Sequence, residues 1–373
     1  MIMPVIGLFS YISQIITNGF FLNGAILVCL SIFLWYLYLA FYLSAKLWIS
    51  HSGIDKIDWL LITVFKINAL FCLLQYFLLV IEYKTLNPFV SEMSTSAGDN
   101  IKGIFANSSV NLVVNAILLY YSLVTKRSIY ITVISILIIL FTSFMSGIAC
   151  ILMAAGVHFI FDKKISFKKR IGSVLVAAIF ISIFYIISYE NFIYAYSIIE
   201  TILTFNPPRK IVSFLQTLDY LDSSLIHFLI GGAPGHFSSR VAFIGGGEYV
   251  TWYPSSLTFL SPDFYKNHFQ LWNFDTLAIP FNDGTGNQPF SIYNQTLGEY
   301  GITGFLCLIF FYFRCMLKKI KKLPYSRFIM ILLLLFFFLD YWFEYLSFII
   351  IFEIIILAIS SYRSTIILER VKV

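Results

Sequence analysis

Long, continuous apolar runs alternate with short polar connections along most of the chain. Runs of about 20 apolar residues are long enough to cross the hydrocarbon core of a bilayer as helices. Membrane-spanning strands would instead alternate in polarity over about 10 residues, which these runs do not do. The runs predict helices near residues 2–16, 20–45, 59–81, 108–124, 130–141, 147–161, 171–188, 295–313, 328–339 and 346–360. The pattern therefore predicts an all-α, polytopic membrane protein with about ten transmembrane helices.

Residues 130–161 form an apolar stretch that is too long for one untilted span. The polar interruption at residues 142–147, Thr-Ser-Phe-Met-Ser-Gly, predicts a break between two short helices. Such a break keeps the basic connections on either side of the stretch on the same face of the membrane.

One long polar segment, residues 189–291, interrupts the alternation and divides the chain into three sections. Residues 1–188 hold the N-terminal transmembrane helices, and residues 292–373 hold the C-terminal ones with a short tail. Within the long segment, the prolines at positions 207 and 208 end any preceding helix. Apolar residues then recur at helical spacing, at Ile211, Phe214, Leu215, Leu218, Leu221 and Leu225. This spacing predicts one amphipathic helix from residue 209 to residue 230.

Composition and charge support a membrane protein and make a nucleic-acid partner unnecessary. The chain is 59% hydrophobic and 12% charged, against about 25% charged residues in soluble domains. Its net charge is +6, but the basic residues gather in alternate connections, such as residues 163–170 and 314–327. By the positive-inside rule these connections face the cytoplasm, so residues 189–291 lie on the outer side. The expected partner is the lipid bilayer.

Cysteines and histidines predict neither a disulfide framework nor a metal site. All five cysteines lie in or beside apolar runs, where a cysteine acts as a small apolar residue. The outer histidines are His227, His236 and His268, and their spacing matches no metal-binding motif. We therefore expect no metal and no cofactor.

Four basic residues stand in the outer segment and are the candidates for binding phosphate. Arg209, Lys210, Arg240 and Lys266 are accompanied there by eight acidic residues. A segment this acidic is not a general polyanion binder, so a pyrophosphate would need a few converging cations. Arg209 also opens the predicted helix, where free backbone N–H groups attract anions. The alternative is that Arg209 is an ordinary surface arginine.

Residues 293–304, Tyr-Asn-Gln-Thr-Leu-Gly-Glu-Tyr-Gly-Ile-Thr-Gly, place polar groups where an apolar run begins. Glu299 lies a turn inside the predicted span, where a carboxylate is costly unless it is paired or lines a wet cavity. Alternatively, the stretch contains ordinary helix caps, and its glycines permit close helix packing. The other charges near spans are Lys66, which can snorkel, Asp340 and Glu344, which we expect to face water, and Glu353, which has no assigned role.

Four segments, in order, resemble the O-antigen polymerase and ligase superfamily. They are Ile101–Asn107 before a helix, Arg209 at the helix start, Ile230–Phe237 with its glycine-rich turn, and Tyr293–Gly304. The resemblance implies a GT-C-like bacterial inner-membrane protein with one large periplasmic loop. It also implies glycosyl transfer from an undecaprenyl-pyrophosphate-linked oligosaccharide, with a chain-length regulator as a possible further partner.

The resemblance also implies roles for individual residues. Catalytic roles fall on Arg209, Arg240 and Glu299, and substrate-binding roles fall on Lys210, Asn107, Gly232, Gly235, His236, Tyr293 and Asn294. Tyr293 stands where the ligases have the histidine that acts as base, which favours a polymerase and leaves the base unidentified. The alternatives are an O-antigen ligase of the same superfamily and a lipid-linked oligosaccharide flippase. A transporter has no need of so long an outer segment and often shows internal repeats, of which the sequence has none.

Overall fold

The structure is a computed structural model. It describes residues 2–89, 100–125, 129–161, 166–187, 189, 192–193, 196–197, 200–201, 207–250, 252–279, 288–321 and 323–371. The regular structure in these ranges is helical, and they contain no strand. The prediction of an all-α chain is therefore confirmed.

The N-terminal helices follow the predicted apolar runs closely. They are α1 (Ile2–Asn18), α2 (Leu22–Ser52), α3 (Ile54–Tyr83), α4 (Ser108–Thr125), α5 (Ile129–Phe141), α6 (Met145–Phe161) and α7 (Phe167–Ile187). The predicted break is confirmed, since α5 ends at Phe141 and α6 begins at Met145. Ser143 between them has a φ of 50°, a left-handed conformation that no helix continues through.

The second half of the chain mixes short and long helices. They are α8 (Arg209–Asp222), α9 (Leu225–Ile230), α10 (Arg240–Gly245), α11 (Pro262–Lys266), α12 (Phe274–Leu277), α13 (Ile292–Cys307), α14 (Arg314–Ile320), α15 (Ser326–Leu339) and α16 (Leu346–Val371). A π-helical segment, Leu308–Phe313, joins α13 to α14. The prediction of one helix over residues 209–230 is wrong. Ser224 starts a new helix by accepting a hydrogen bond from the Ile226 N–H at 3.2 Å.

Several helices have the length and apolar composition of membrane spans. Within the described ranges, those long enough to cross a bilayer are Leu22–His51, Asp55–Tyr83, Ser108–Thr125 and Ile292–Ile320. The chain is therefore a membrane-embedded helical protein, whereas the count of about ten spans stays a prediction. Lys163 and Lys164, from a basic connection used to predict the topology, lie outside the described residues.

Contacts within the chain define two compact units. The first comprises Met1–Phe41, Glu200–Met316 and Phe337–Leu346, and the second comprises Tyr42–Ile199, Leu317–Phe336 and Ser347–Val373. Each unit takes pieces from more than one predicted section, because those sections follow membrane topology and the units follow packing. The predicted topology is not tested by this division.

Buried amide side chains organise the second unit around the segment before α4. Asn68 donates to the Asn111 side chain at 2.9 Å and accepts from the Ile104 N–H at 3.0 Å. Gln75 both donates to the Gly103 carbonyl, at 3.1 Å, and accepts from its N–H, at 2.7 Å. Amides at membrane depth are stable when their polar atoms are satisfied in this way.

The second unit also accounts for Glu353, for which the sequence indicated no role. The Glu353 side chain is buried, and its Oε2 lies 3.7 Å from the Lys319 ammonium. Lys319 also donates a 2.9 Å hydrogen bond to the Tyr42 hydroxyl. The pair is a structural contact inside helical packing, since a buried carboxylate needs such a cation. Lys66 is exposed, in keeping with snorkelling.

Two glycines let α9 and α13 meet backbone to backbone in the first unit. Gly301 has a φ of 64° and breaks the helical geometry of α13. A Cβ on Gly301 would lie 2.6 Å from the Leu229 carbonyl oxygen, and a Cβ on Gly231 would lie 2.5 Å from the Glu299 carbonyl carbon. The prediction that Gly301 permits close helix packing is thus confirmed.

We expect Gly301→Ala to destabilise the protein. Alanine must adopt a positive φ there, which costs about 1–3 kcal/mol, and its Cβ collides with the backbone of α9. Gly156→Ala in α6 is the matched control, because a Cβ at Gly156 meets nothing within 4 Å. Thermal unfolding in detergent should show a lower midpoint for the first variant and an unchanged or higher midpoint for the second. Equal midpoints would contradict the proposed contact.

Candidate functional site

Arg209 opens helix α8, as predicted. Pro208 caps the helix with a φ of −60° and an extended ψ, so the chain turns into the helix at Arg209. The half-buried guanidinium donates from Nη1 to the Leu271 carbonyl, and its Cζ lies 5.6 Å from the centroid of the Trp272 ring. These contacts hold Arg209 at the first turn of α8, where the positive end of the helix dipole favours an anion.

Lys210 has structural contacts although it is adjacent to Arg209. Its side chain is buried, and Nζ donates to the carbonyls of Phe290 at 2.7 Å and Leu339 at 2.9 Å. These bonds tie the start of α8 to the segment before α13 and to the end of α15. The substrate-binding role of Lys210 stays a prediction, because the structure shows its ammonium bound to protein carbonyls.

Arg240 is the first residue of α10 and lies against two tyrosine rings. The Ser239 side chain caps this helix by accepting from the Ala242 N–H at 3.2 Å. The Arg240 Cζ lies 4.3 Å from the Tyr345 ring centroid and 5.8 Å from that of Tyr249. Its Nε has no hydrogen-bond partner among the described residues. Burial lowers the Arg240 pKa, but the neighbouring Tyr345, Tyr249, Glu344 and Asp340 outweigh burial and raise it.

A chain of aromatic rings connects the two arginines. Trp272, under Arg209, lies 5.3 Å from Phe290 between ring centroids. Phe290 in turn lies 5.5 Å from Tyr249, which is under Arg240. The guanidinium groups therefore contact the two ends of one aromatic row. Each has a ring face that stabilises its positive charge.

Glu299 is held by backbone N–H groups. Its side chain is fully buried, at 0% exposure. Oε2 accepts from Gly235 at 2.9 Å, and Oε1 accepts from Phe237 at 3.3 Å, Ser238 at 3.2 Å and Ser239 at 2.9 Å. The carboxylate is therefore paired, one of the two conditions expected for a charge at this depth. Because both of its oxygens bind the 235–239 loop, its catalytic role stays a prediction.

Asn294 ties α13 to α8. The residue is fully buried, and its Oδ1 accepts from the Thr217 hydroxyl. Its Nδ2 donates to the Ser213 hydroxyl at 3.1 Å, and its carbonyl accepts from the Ser238 hydroxyl at 3.1 Å. The structure thus places Asn294 in a polar core, and its predicted contact with substrate is not tested.

His236 lies in a buried polar contact with the N-terminal helices. Its Nδ1 lies 3.2 Å from the Gln14 Oε1, and its Nε2 lies 3.0 Å from the Gly24 carbonyl. Burial lowers the His236 pKa, and the bond to Gly24 only partly opposes this effect. A neutral imidazole is therefore the favoured form near pH 7.

The remaining predicted residues of the first unit are packing positions. A Cβ on Gly232 would lie 2.6 Å from the Tyr220 hydroxyl, and one on Gly235 would lie 3.0 Å from the Leu27 carbonyl oxygen. The Tyr293 ring lies 6.3 Å from that of Phe305 between centroids. The glycines are thus needed for close approach, and Tyr293 packs against its own helix. Their substrate-binding roles stay predictions.

Asn107 belongs to the second unit and caps α4, as its sequence position predicts. Its Oδ1 accepts from the Val110 N–H at 2.8 Å and from the Ser109 hydroxyl at 2.9 Å. These bonds satisfy the first turn of the helix. A contact of Asn107 with substrate is not tested.

The acidic residues between α15 and α16 do not simply face water, which corrects the expectation from sequence. Asp340 is buried, and its Oδ1 accepts from the Tyr341 N–H at 2.6 Å. Half-buried Glu344 accepts from the Gln295 side chain at 2.7 Å through Oε1, while Oε2 is enclosed without a partner among the described residues. The sequence signal for this burial is the aromatic composition of the turn, Tyr341-Trp342-Phe343, which is typical of a packed segment.

Glu344 is a much weaker acid than an ordinary glutamate. Burial raises its pKa to about 8, Glu299 and Asp340 add to the rise, and Arg240 and Gln295 oppose it. The titratable groups that face it are Glu299 and Tyr300 on α13, Arg240 on α10, and Asp340 and Tyr341 on its own turn. A carboxyl group that titrates near neutrality can accept or release a proton at working pH.

Comparisons with known proteins found no relative of the chain. No protein-family model matches the chain, and no curated protein or solved structure matches it at a significant level. The resemblance therefore rests on four sequence segments. Three of them, Arg209, residues 230–237 and residues 293–304, lie in the first unit, and residues 101–107 lie in the second.

We expect Glu299→Gln to destabilise the first unit. The new NH₂ group would face backbone N–H donors of the 235–239 loop, and each buried donor left unpaired costs about 1–3 kcal/mol. The control is Glu248→Gln, since Glu248 binds one backbone N–H, from Phe274, at 2.7 Å in a solvent-exposed setting. The thermal midpoint should fall clearly more for Glu299→Gln. A similar fall for both variants would show that the loop does not depend on this carboxylate.

Proposed function

We propose that the protein is a bacterial repeat-unit polymerase. It would join undecaprenyl-pyrophosphate-linked oligosaccharides by glycosyl transfer at the periplasmic face of the inner membrane. In this proposal the chain has about ten spans, its basic connections face the cytoplasm, and residues 189–291 form the periplasmic loop. O-antigen, capsule and exopolysaccharide repeat units all fit this chemistry.

One observation supports the proposal most strongly. Three of the segments that resemble the superfamily, namely Arg209, residues 230–237 and residues 293–304, are distant from one another in sequence. In the first unit, the elements that carry them pack together. Residues 235–239 surround the Glu299 carboxylate, and Asn294 joins α13 to the helix that Arg209 opens. Motifs that follow a family's order and also meet in space are better evidence of one site than loose motifs alone.

The arginines supply positive charge for the diphosphate leaving group. In the proposed step, the terminal sugar hydroxyl of one lipid-linked unit attacks the anomeric carbon of the growing glycan. The carbon–oxygen bond to the lipid pyrophosphate breaks, and the diphosphate departs with the bonding electrons. Preorganised cations stabilise this charge best, and arginine pairs bidentately with phosphate oxygens. Arg209, beside the first turn of α8, is the residue we assign to the diphosphate.

The contacts of the two glutamates favour Glu344 as the base, which the resemblance left unidentified. Glu299 has both oxygens bound to backbone N–H groups, whereas Oε2 of Glu344 lacks a partner among the described residues. We therefore assign Glu344 to take the proton of the attacking hydroxyl. Glu299 becomes a positioning residue, because it binds the N–H of Ser239, whose hydroxyl caps the helix that Arg240 opens.

Replacing Arg209 by alanine should abolish polymer formation at normal protein levels. Loss of one preorganised donor to a developing anion costs about 10²–10³ in rate, so the cells should carry glycans of a single repeat. Lys266→Ala is the control, because Lys266 is an exposed cation of the same segment. The measurement is glycan length on gels in a deletion strain complemented with each variant.

The same gels separate the alternatives. A deletion strain with single-repeat glycans indicates a polymerase, and one with bare lipid A–core and accumulated lipid-linked polymer indicates a ligase. Wild-type chain length in the Arg209→Ala strain would refute the assigned role of Arg209.

The transfer rate should depend on the ionisation of Glu344. Only the carboxylate can accept a proton, and its pKa is about 8, so the rate should rise as pH increases through about 8 and level off above it. Glu344→Gln should be slow at every pH and should lose this rise. Glu248→Gln, which alters a carboxylate outside this cluster, should keep it. An unchanged pH profile in Glu344→Gln would exclude Glu344 as the base.

A further inference from the structure

Helix α8 exposes two leucines although it also buries polar side chains. Its enclosed face carries Lys210, Ser213 and Thr217, each at most 5% exposed. Its outward face carries Leu215 and Leu218, which are 50% and 54% exposed, together with the exposed Asp219 and Asp222. This face therefore combines apolar side chains with charged ones, as a helix at a membrane surface does.

Helix α9 extends this outward apolar surface. It has no buried residue, and its large apolar side chains Leu225, Ile226, Phe228 and Leu229 are 73%, 50%, 45% and 43% exposed. The surrounding stretch, residues 223–239, contains no Asp, Glu, Lys or Arg. An uncharged stretch with four outward apolar side chains is unlike a loop in water.

Helix α9 packs against two apolar helices. Within the first unit α9 contacts both α1 and α13, and α13 belongs to the candidate span Ile292–Ile320. Helix α1 likewise exposes apolar side chains, with Phe9 and Ile12 more than half exposed while Ser10 and Gln14 are buried. Helix α9 thus packs on a candidate membrane span and on an apolar helix that itself exposes apolar side chains, which argues for lipid as its neighbour.

We propose that α9 lies in the membrane interface with its apolar side chains among the phospholipid acyl chains. The segment would then be an interfacial helix anchored on α13 through Gly231 and Gly301. Asp219 and Asp222, exposed in the last turns of α8, would lie at the hydrated headgroup level. A buried apolar face with polar groups at its edge is the usual arrangement of such helices. This inference does not depend on the proposed function.

Photo-crosslinking of the full chain tests the proposal. The photoreactive residue p-benzoylphenylalanine would replace Ile226 or Phe228 in protein reconstituted into phosphatidylethanolamine–phosphatidylglycerol vesicles. The lipid reference is Leu70, an exposed residue inside the span Asp55–Tyr83, and the water reference is exposed Lys266. Mass spectrometry after irradiation identifies what each position has captured.

The expected result is a phospholipid adduct, linked through the acyl chain, at positions 226 and 228 as at position 70, with none at position 266. Absence of lipid adducts at 226 and 228, while position 70 forms them, would overturn the proposal and indicate solvent. A covalent dimer would overturn it in favour of contact between copies of the chain. Because the vesicles contain no lipid-linked sugar, the outcome is separate from that of the glycosyl-transfer experiments.

Discussion

The first unit depends on one buried carboxylate inside a membrane helix. Glu299 would be costly at this depth if it were unpaired, and the chain satisfies it with N–H groups of Gly235 to Ser239. For those N–H groups to reach the carboxylate, the preceding backbone must pass directly over α13. Gly231 and Gly301 permit that approach because neither has a Cβ. The glycine-rich turn and the interrupted helix are therefore two parts of the same contact.

This contact gives the basic residues of the unit different roles. The Lys210 ammonium donates hydrogen bonds to backbone carbonyls. Arg209 and Arg240 instead lie on aromatic ring faces, and part of each side chain is exposed. A ring face stabilises the charge of a guanidinium group and fixes its position. Near Arg240, Asp340 is buried and Glu344 is half-buried, and the pKa of about 8 lets Glu344 exchange a proton near neutral pH.

Sequence patterns predicted the features that depend on local chemistry. The helix bounds near α4 to α6, the cap by Asn107 and the start of α8 at Arg209 all follow from residue type and spacing. Features that depend on long-range packing were not predictable from the pattern. The residues of α8 repeat at helical spacing whichever face is buried, so the pattern could not show that Ser213 lies inside and Leu218 outside. The burial of Glu344 depends on Gln295, which lies 49 positions away in sequence.

We propose that the chain forms glycosidic bonds between lipid-linked repeat units. The direct measurement uses purified protein in vesicles with lipid-linked single repeats extracted from the deletion strain. The expected products are glycans of two and more repeats on the lipid, with one undecaprenyl pyrophosphate released for each bond formed. Single repeats that stay unextended, or that only cross the bilayer, would contradict it.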